Sequence, residues 1–120
     1  MPGRIVTLVP DLLIEVSIDE AARRIDADLE ALSSTDYLET ALSKPTDVLI
    51  VDLAVDGLDL NAIISTADAH KVPIVAFGPH VEVELLKAAE DAGMGSVLPR
   101  SAFLKGIRRI LADMIATDQT

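Results

Sequence analysis

Asp47–Leu53 reads DVLIVDL, in which the apolar run Val48–Val51 is bracketed by two aspartates. Four consecutive aliphatic residues leave no polar face, so a strand built from them must be covered on both sides. Strands of that kind belong to parallel sheets with a helical layer above and below. The charge at Asp52 marks the place where the buried strand meets a loop.

Outward toward the N-terminus, Arg4–Val9 (RIVTLV) is a second buried strand, ended by Pro10. Asp11 is placed to cap a helix running to about Ile25, because Ile14, Ile18, Ala21, Ala22 and Ile25 recur at helical spacing. Leu29–Leu32 is a third strand. Asp36–Leu42 is a short helix, with Asp36 and Glu39 in capping-box register. Outward toward the C-terminus, Val55–Asp59 (VDGLD) is a turn, and Leu60, Ile63, Ile64 and Ala67 share one helix face. Ile74–Phe77 is a strand ended by Gly78 and Pro79. Val81–Ala92 is a helix with a small-residue stripe of Leu85, Ala88, Ala89 and Ala92, stopped by Gly93. Ser96–Leu98 is the last strand. Ser101 then caps a helix with an apolar arc of Phe103, Ile107, Ile110, Leu111 and Met114. Strand and helix thus alternate five times over residues 1–120, which predicts one doubly wound α/β domain with a parallel sheet. The connections are short and leave no linker.

Composition narrows the function. The formal net charge is −10, which repels phosphate backbones and anionic membrane surfaces, so neither nucleic acid nor membrane is expected as a partner. The aromatic residues are Tyr37, Phe77 and Phe103, too few for a base-stacking platform. The absence of cysteine excludes disulfides, thiolate metal sites and a thiol nucleophile. Arg4–Leu13 is too short and too broken for a signal peptide or a span, which points to the cytoplasm.

In open α/β sheets, function gathers at the carboxyl ends of the strands. That rule selects Pro10, Asp11, Asp52, Gly78, Pro79, His80, Pro99 and Arg100. Asp11 and Asp52 follow strands expected to be neighbours, and two carboxylates in one crevice favour a hard cation such as Mg²⁺. Taken alone, Asp11 is read first as a helix cap. Gly78 permits a positive φ, and Pro79 leads into a helix entry where Gly78 and His80 are candidates for holding an anion. A plain helix entry with a solvated His80 explains the same residues. Arg100 is placed either to pair with Asp52 or to lie exposed. His70 ends a helix, where contact with the helix dipole suffices. Lys105, Arg108 and Arg109 lie on one side of the last helix, with Leu104 and Ile115 beside the apolar arc and partly exposed. No nucleophile triad, phosphate loop or dinucleotide fingerprint is present, so the chain is read as non-catalytic.

Three stretches together resemble the receiver domains of bacterial response regulators: DVLIVDL (Asp47–Leu53), VPIVAF (Val72–Phe77) and AAEDAGMGSVLPR (Ala88–Arg100). The likeness covers nearly the whole chain and implies the flavodoxin-like sheet order 2-1-3-4-5. It places Asp52 on the phosphoacceptor and Asp11 on one of two acidic metal ligands. Pro10 stands where receivers carry the other acid. Gly78 replaces the hydroxyl residue that bonds the phosphoryl group. Arg100 replaces the lysine, and Ser101 the proline that follows it. Arg is larger, planar and differently hydrated than Lys, so that exchange is not conservative. The resemblance is therefore to an atypical receiver, a stand-alone signalling module that binds another protein without phosphorylation and needs no cofactor. Two alternatives stay open: a true receiver phosphorylated on Asp52 with Mg²⁺ and Arg100, and a small-anion binder using Gly78–His80. A second copy docking through the last two helices is a further expectation.

Overall fold

The computed structural model describes residues 3–79 and 81–116. It contains strands β1 (Arg4–Leu8), β2 (Asp28–Ala31), β3 (Val48–Asp52), β4 (Ile74–Gly78) and β5 (Ser96–Pro99). Between and after them lie helices α1 (Leu12–Arg24), α2 (Leu38–Leu42), α3 (Leu60–Ala69), α4 (Val83–Asp91) and α5 (Arg100–Ala116). A single 3₁₀ turn, Thr35–Tyr37, leads into α2. All strand pairs are parallel, and the sheet order is 2-1-3-4-5 as expected.

The sheet divides the core by simple alternation. Val6, Leu8, Leu49, Val51, Ile74 and Ala76 face α2, α3 and α4. Ile5, Val9, Ile50, Val75 and Phe77 face α1 and α5. The two phenylalanines meet on that second face, stacked with ring centroids 4.6 Å apart, a contact worth about 1 kcal/mol beyond its burial. Every residue of β3 is buried, as the unbroken run Val48–Val51 requires.

Polar contacts fix the amino ends of the strands. The Arg4 guanidinium donates to the Ala41 carbonyl at 2.9 Å, to the Thr46 hydroxyl and to the Glu30 carboxylate, while its amide donates to Asp47 at 2.9 Å. One side chain thereby ties β1 to β2, α2 and the loop before β3.

Several local expectations need correction. Ser34 caps the 3₁₀ turn, its hydroxyl accepting from the Asp36 amide at 3.1 Å, while α2 begins at Leu38 after Tyr37 with no side-chain cap, so Asp36 and Glu39 form no capping box. Glu39 instead bonds His70 Nε2 at 2.8 Å and joins α2 to the end of α3. Helix α4 begins at Val83, two residues later than expected, and of its stripe only Ala89 is buried while Ala88 is exposed. Leu86, with Leu85, supplies the packing that the small-residue pattern had assigned to Ala88. Helix α5 starts at Arg100, so Ser101 lies inside its first turn rather than at the cap. Ile115 is buried, packed where a side chain on Gly3 would collide with it at 2.6 Å, so it is no part of an exposed docking patch.

Candidate functional site

The carboxyl ends of β1, β3, β4 and β5 form one rim, and most of the residues singled out above line up along it. Val48 and Ile50 point to the α1–α5 face, and alternation carries Asp52 onto the end of the same row. Asp52 is 3% exposed and is one of two buried polar side chains among the described residues. Its Oδ1 accepts from the Ala54 amide at 2.9 Å, which turns the chain out of β3. Burying a carboxylate costs several kcal/mol unless hydrogen bonds or charges compensate it, and one amide is partial compensation.

Asp11 is employed differently. It is exposed, and its Oδ1 accepts from the amides of Leu13 and Ile14 at 2.9 and 3.2 Å, an N-cap for α1. Pro10 between β1 and this cap offers neither carboxylate nor amide proton. Among the described residues no three acidic or imidazole groups converge on a point where a metal ion would sit. Each acid gives Oδ1 to backbone amide protons, Asp11 in a cap and Asp52 in a turn, and keeps its other oxygen. A hydrated Mg²⁺ would find only Asp52 and the free oxygen of Asp11.

Gly78 closes β4 opposite Pro99. Its φ is not positive, so conformational freedom does not explain it. A Cβ there would stand 3.2 Å from Leu86 Cδ2 and 3.5 Å from Leu53 Cβ, so the missing side chain makes room for packing by α4. Pro79 begins a turn in which the Glu82 amide donates to the Pro79 carbonyl at 3.0 Å, and α4 starts only at Val83. Gly78 and Pro79 therefore lie ahead of a turn, and the helix entry comes at Val83 instead. His80 lies outside the described residues.

Arg100 opens α5 and is half-buried. Its Nε is buried without a hydrogen-bond partner in the chain, and no ion pair joins it to Asp52 among the described residues. The internal lock between Asp52 and Arg100 is thus not formed. An orphaned buried donor costs about 1–3 kcal/mol.

Two features of this end of the molecule escaped the sequence reading. Thr7, fully buried in β1, donates to the Glu15 carboxylate of α1 at 2.8 Å. Burial pushes the Glu15 carboxyl above its ordinary value near 4.5, the Thr7 hydrogen bond offsets part of this, and neighbouring Asp19 pushes it further up. A hydroxyl inside RIVTLV, facing a helix acid, was the available signal. The second is a cavity of about 520 Å³ between the loops after β2 and β3. Its residues carry no motif and are brought together only by the sheet order.

No family model matches the sequence, and comparison with curated proteins finds no match. Comparison with solved structures does. A response regulator from Thermotoga maritima superposes with a TM-score of 0.77 at 13% identity, over 97% of this chain and 99% of that one. One from Hahella chejuensis gives 0.78 at 20% identity, over 93% and 94%. The receiver domain of a sensor histidine kinase from Pseudomonas aeruginosa PAO1, solved with magnesium coordinated in its active-site cleft, gives 0.76 at 16% identity, over 97% and 99%. At these identities the likeness is one of architecture, spanning nearly the full length on both sides, and the chain has the fold of the response-regulator receiver domains.

Proposed function

We propose that the chain is a receiver-like signalling module that acts by binding another protein and does not depend on phosphorylation. The observation that carries this reading is the state of the rim around Asp52. Asp11 gives Oδ1 to a helix cap, Gly78 is backed by Leu86, and no ion pair joins Arg100 to Asp52 among the described residues. A carboxylate accepts a phosphoryl group only where positive charge offsets the charge developing on its oxygens. Among the described residues no guanidinium is paired with Asp52 to do so.

The partner surface in this reading is formed by the last two helices. Val81 and Val83 are 75% and 66% exposed ahead of and at the start of α4, and a shallow cavity lies between α4 and β5. Leu104 is exposed on α5 beside Lys105 and Arg108, the basic side of an acidic chain. An acidic partner with an apolar anchor, whether another signalling protein or a second copy, suits that surface.

A true receiver is the competing reading, favoured by one fact: the buried Asp52 at the carboxyl end of the central strand. Incubation with acetyl phosphate and Mg²⁺, followed by intact mass measurement, separates the two. The proposal expects no adduct. A hydroxylamine-sensitive adduct that disappears in Asp52→Asn establishes the competing reading instead.

A further inference from the structure

The 520 Å³ cavity beside the rim plays no part in the readings above. It sits at the carboxyl ends of β1, β2 and β3, where the chain order reverses around β1, the place at which open α/β sheets offer a crevice for ligands. Its volume is within the range of small-molecule sites. Leu8, Val9, Leu32 and Leu58 give it an apolar floor. Ser33, Ser34, Thr35 and Asp56 supply its polar groups. Ser34 Oγ already accepts from the Asp36 amide, which leaves its hydroxyl proton to donate elsewhere. Gly57, with φ of +73°, shapes the wall that carries Asp56.

Charge decides the ligand class. The lining holds one acid, Asp56, and no Lys or Arg. The residues that follow the three lining segments in sequence are Asp11, Asp36 and Asp59. In a chain of net charge −10, that field repels phosphates, nucleotides and carboxylates. We propose that this cavity binds a small amphipathic amine, with its apolar body on the Leu8–Leu32–Leu58 floor and its ammonium held by Asp56 and the neighbouring hydroxyls. The wall that carries Asp56 leaves β3 only a few residues after Asp52, so an occupant pins the loop next to the buried acid without any phosphoryl group. This proposal is independent of whether Asp52 is phosphorylated.

The test is a titration of the full ¹⁵N-labelled chain with tryptamine at neutral pH, followed by amide shifts. The same indole body carrying an alcohol (tryptophol) or a carboxylate (indole-3-acetate) serves as comparison. The expected result is saturable shifts at Ser33–Thr35 and Val55–Leu58, with affinity falling from amine to alcohol to carboxylate. Asp56→Asn should weaken tryptamine roughly five-fold, the value of one close charge pair in water, and leave tryptophol unchanged. Ala31 lines the cavity, is exposed and lies on edge strand β2, so Ala31→Phe should fill the space and abolish binding with the fold intact by circular dichroism. Shifts that do not saturate in the millimolar range, shifts centred elsewhere, a carboxylate that binds as well as the amine, or retained binding in folded Ala31→Phe would each overturn the proposal.

Discussion

Arg4 and Arg100 stand at opposite ends of the same parallel sheet, and they are treated in opposite ways. Arg4, at the amino ends, satisfies its guanidinium with a carbonyl, a hydroxyl and a carboxylate drawn from three separate segments. Arg100, at the carboxyl ends, keeps a buried Nε without a partner, and no ion pair joins it to the buried Asp52 among the described residues. At the amino ends the polar groups close on one another. The carboxyl ends hold polar groups that stability does not explain, which is where a doubly wound sheet keeps its function. Asp52 and Arg100 lie at the carboxyl ends of β3 and β5, and no ion pair joins them among the described residues.

The largest effect expected from breaking this contrast is at Arg4. Arg4→Ala removes the ties to α2 and Glu30 and should cost about 2 kcal/mol of unfolding free energy in urea melts. A cost under roughly 0.5 kcal/mol would mean that the network is ornamental. Arg100→Met keeps the apolar stem and deletes the orphaned donor, so it should leave stability unchanged or raise it by up to about 1 kcal/mol. Marked destabilisation there would reveal a partner for the guanidinium and dissolve the contrast. The smallest effect expected is at Glu15, and it is visible only as a pH dependence. Its folded carboxyl binds protons more readily than its unfolded one, chiefly because of burial. Stability from this group is therefore present at acid pH and falls as pH rises through the raised value. Glu15→Gln, which can still accept from Thr7, should be more stable than the parent at neutral pH and lose that advantage below the ordinary carboxylate range. An advantage that persists at acid pH would refute the assignment.

The fold was legible because it follows from local rules. Val48–Val51 has no polar face and had to be central, and the alternation of strand and helix left few ways to arrange the rest. Asp52 was legible for the same reason, as the charge that ends the run. What the sequence hid depends on where side chains point after the sheet is assembled. Gly78 read as a place for a positive φ, yet its φ is not positive and it makes room for Leu86, eight residues further on in a different element. Ile115 read as exposed, yet it lies on a contact with Gly3 from the other end of the chain. Asp11 read on its own first as a helix cap, and its Oδ1 accepts from two amides of its own helix. The cavity between the loops after β2 and β3 had no signal at all, since its lining joins three segments that only the order 2-1-3-4-5 brings together.

The central claim is that the rim around Asp52 does not work as a phosphoryl switch. The most direct measurement is an amide-shift titration of the full chain with beryllium fluoride in the presence of Mg²⁺, because the fluoride complex occupies a receptive carboxylate as a phosphoryl group does. The expected shifts are small, confined to residues beside Asp52 and absent from α4 and α5. A saturable response that spreads through β4, α4 and α5 and is lost in Asp52→Asn would contradict that claim.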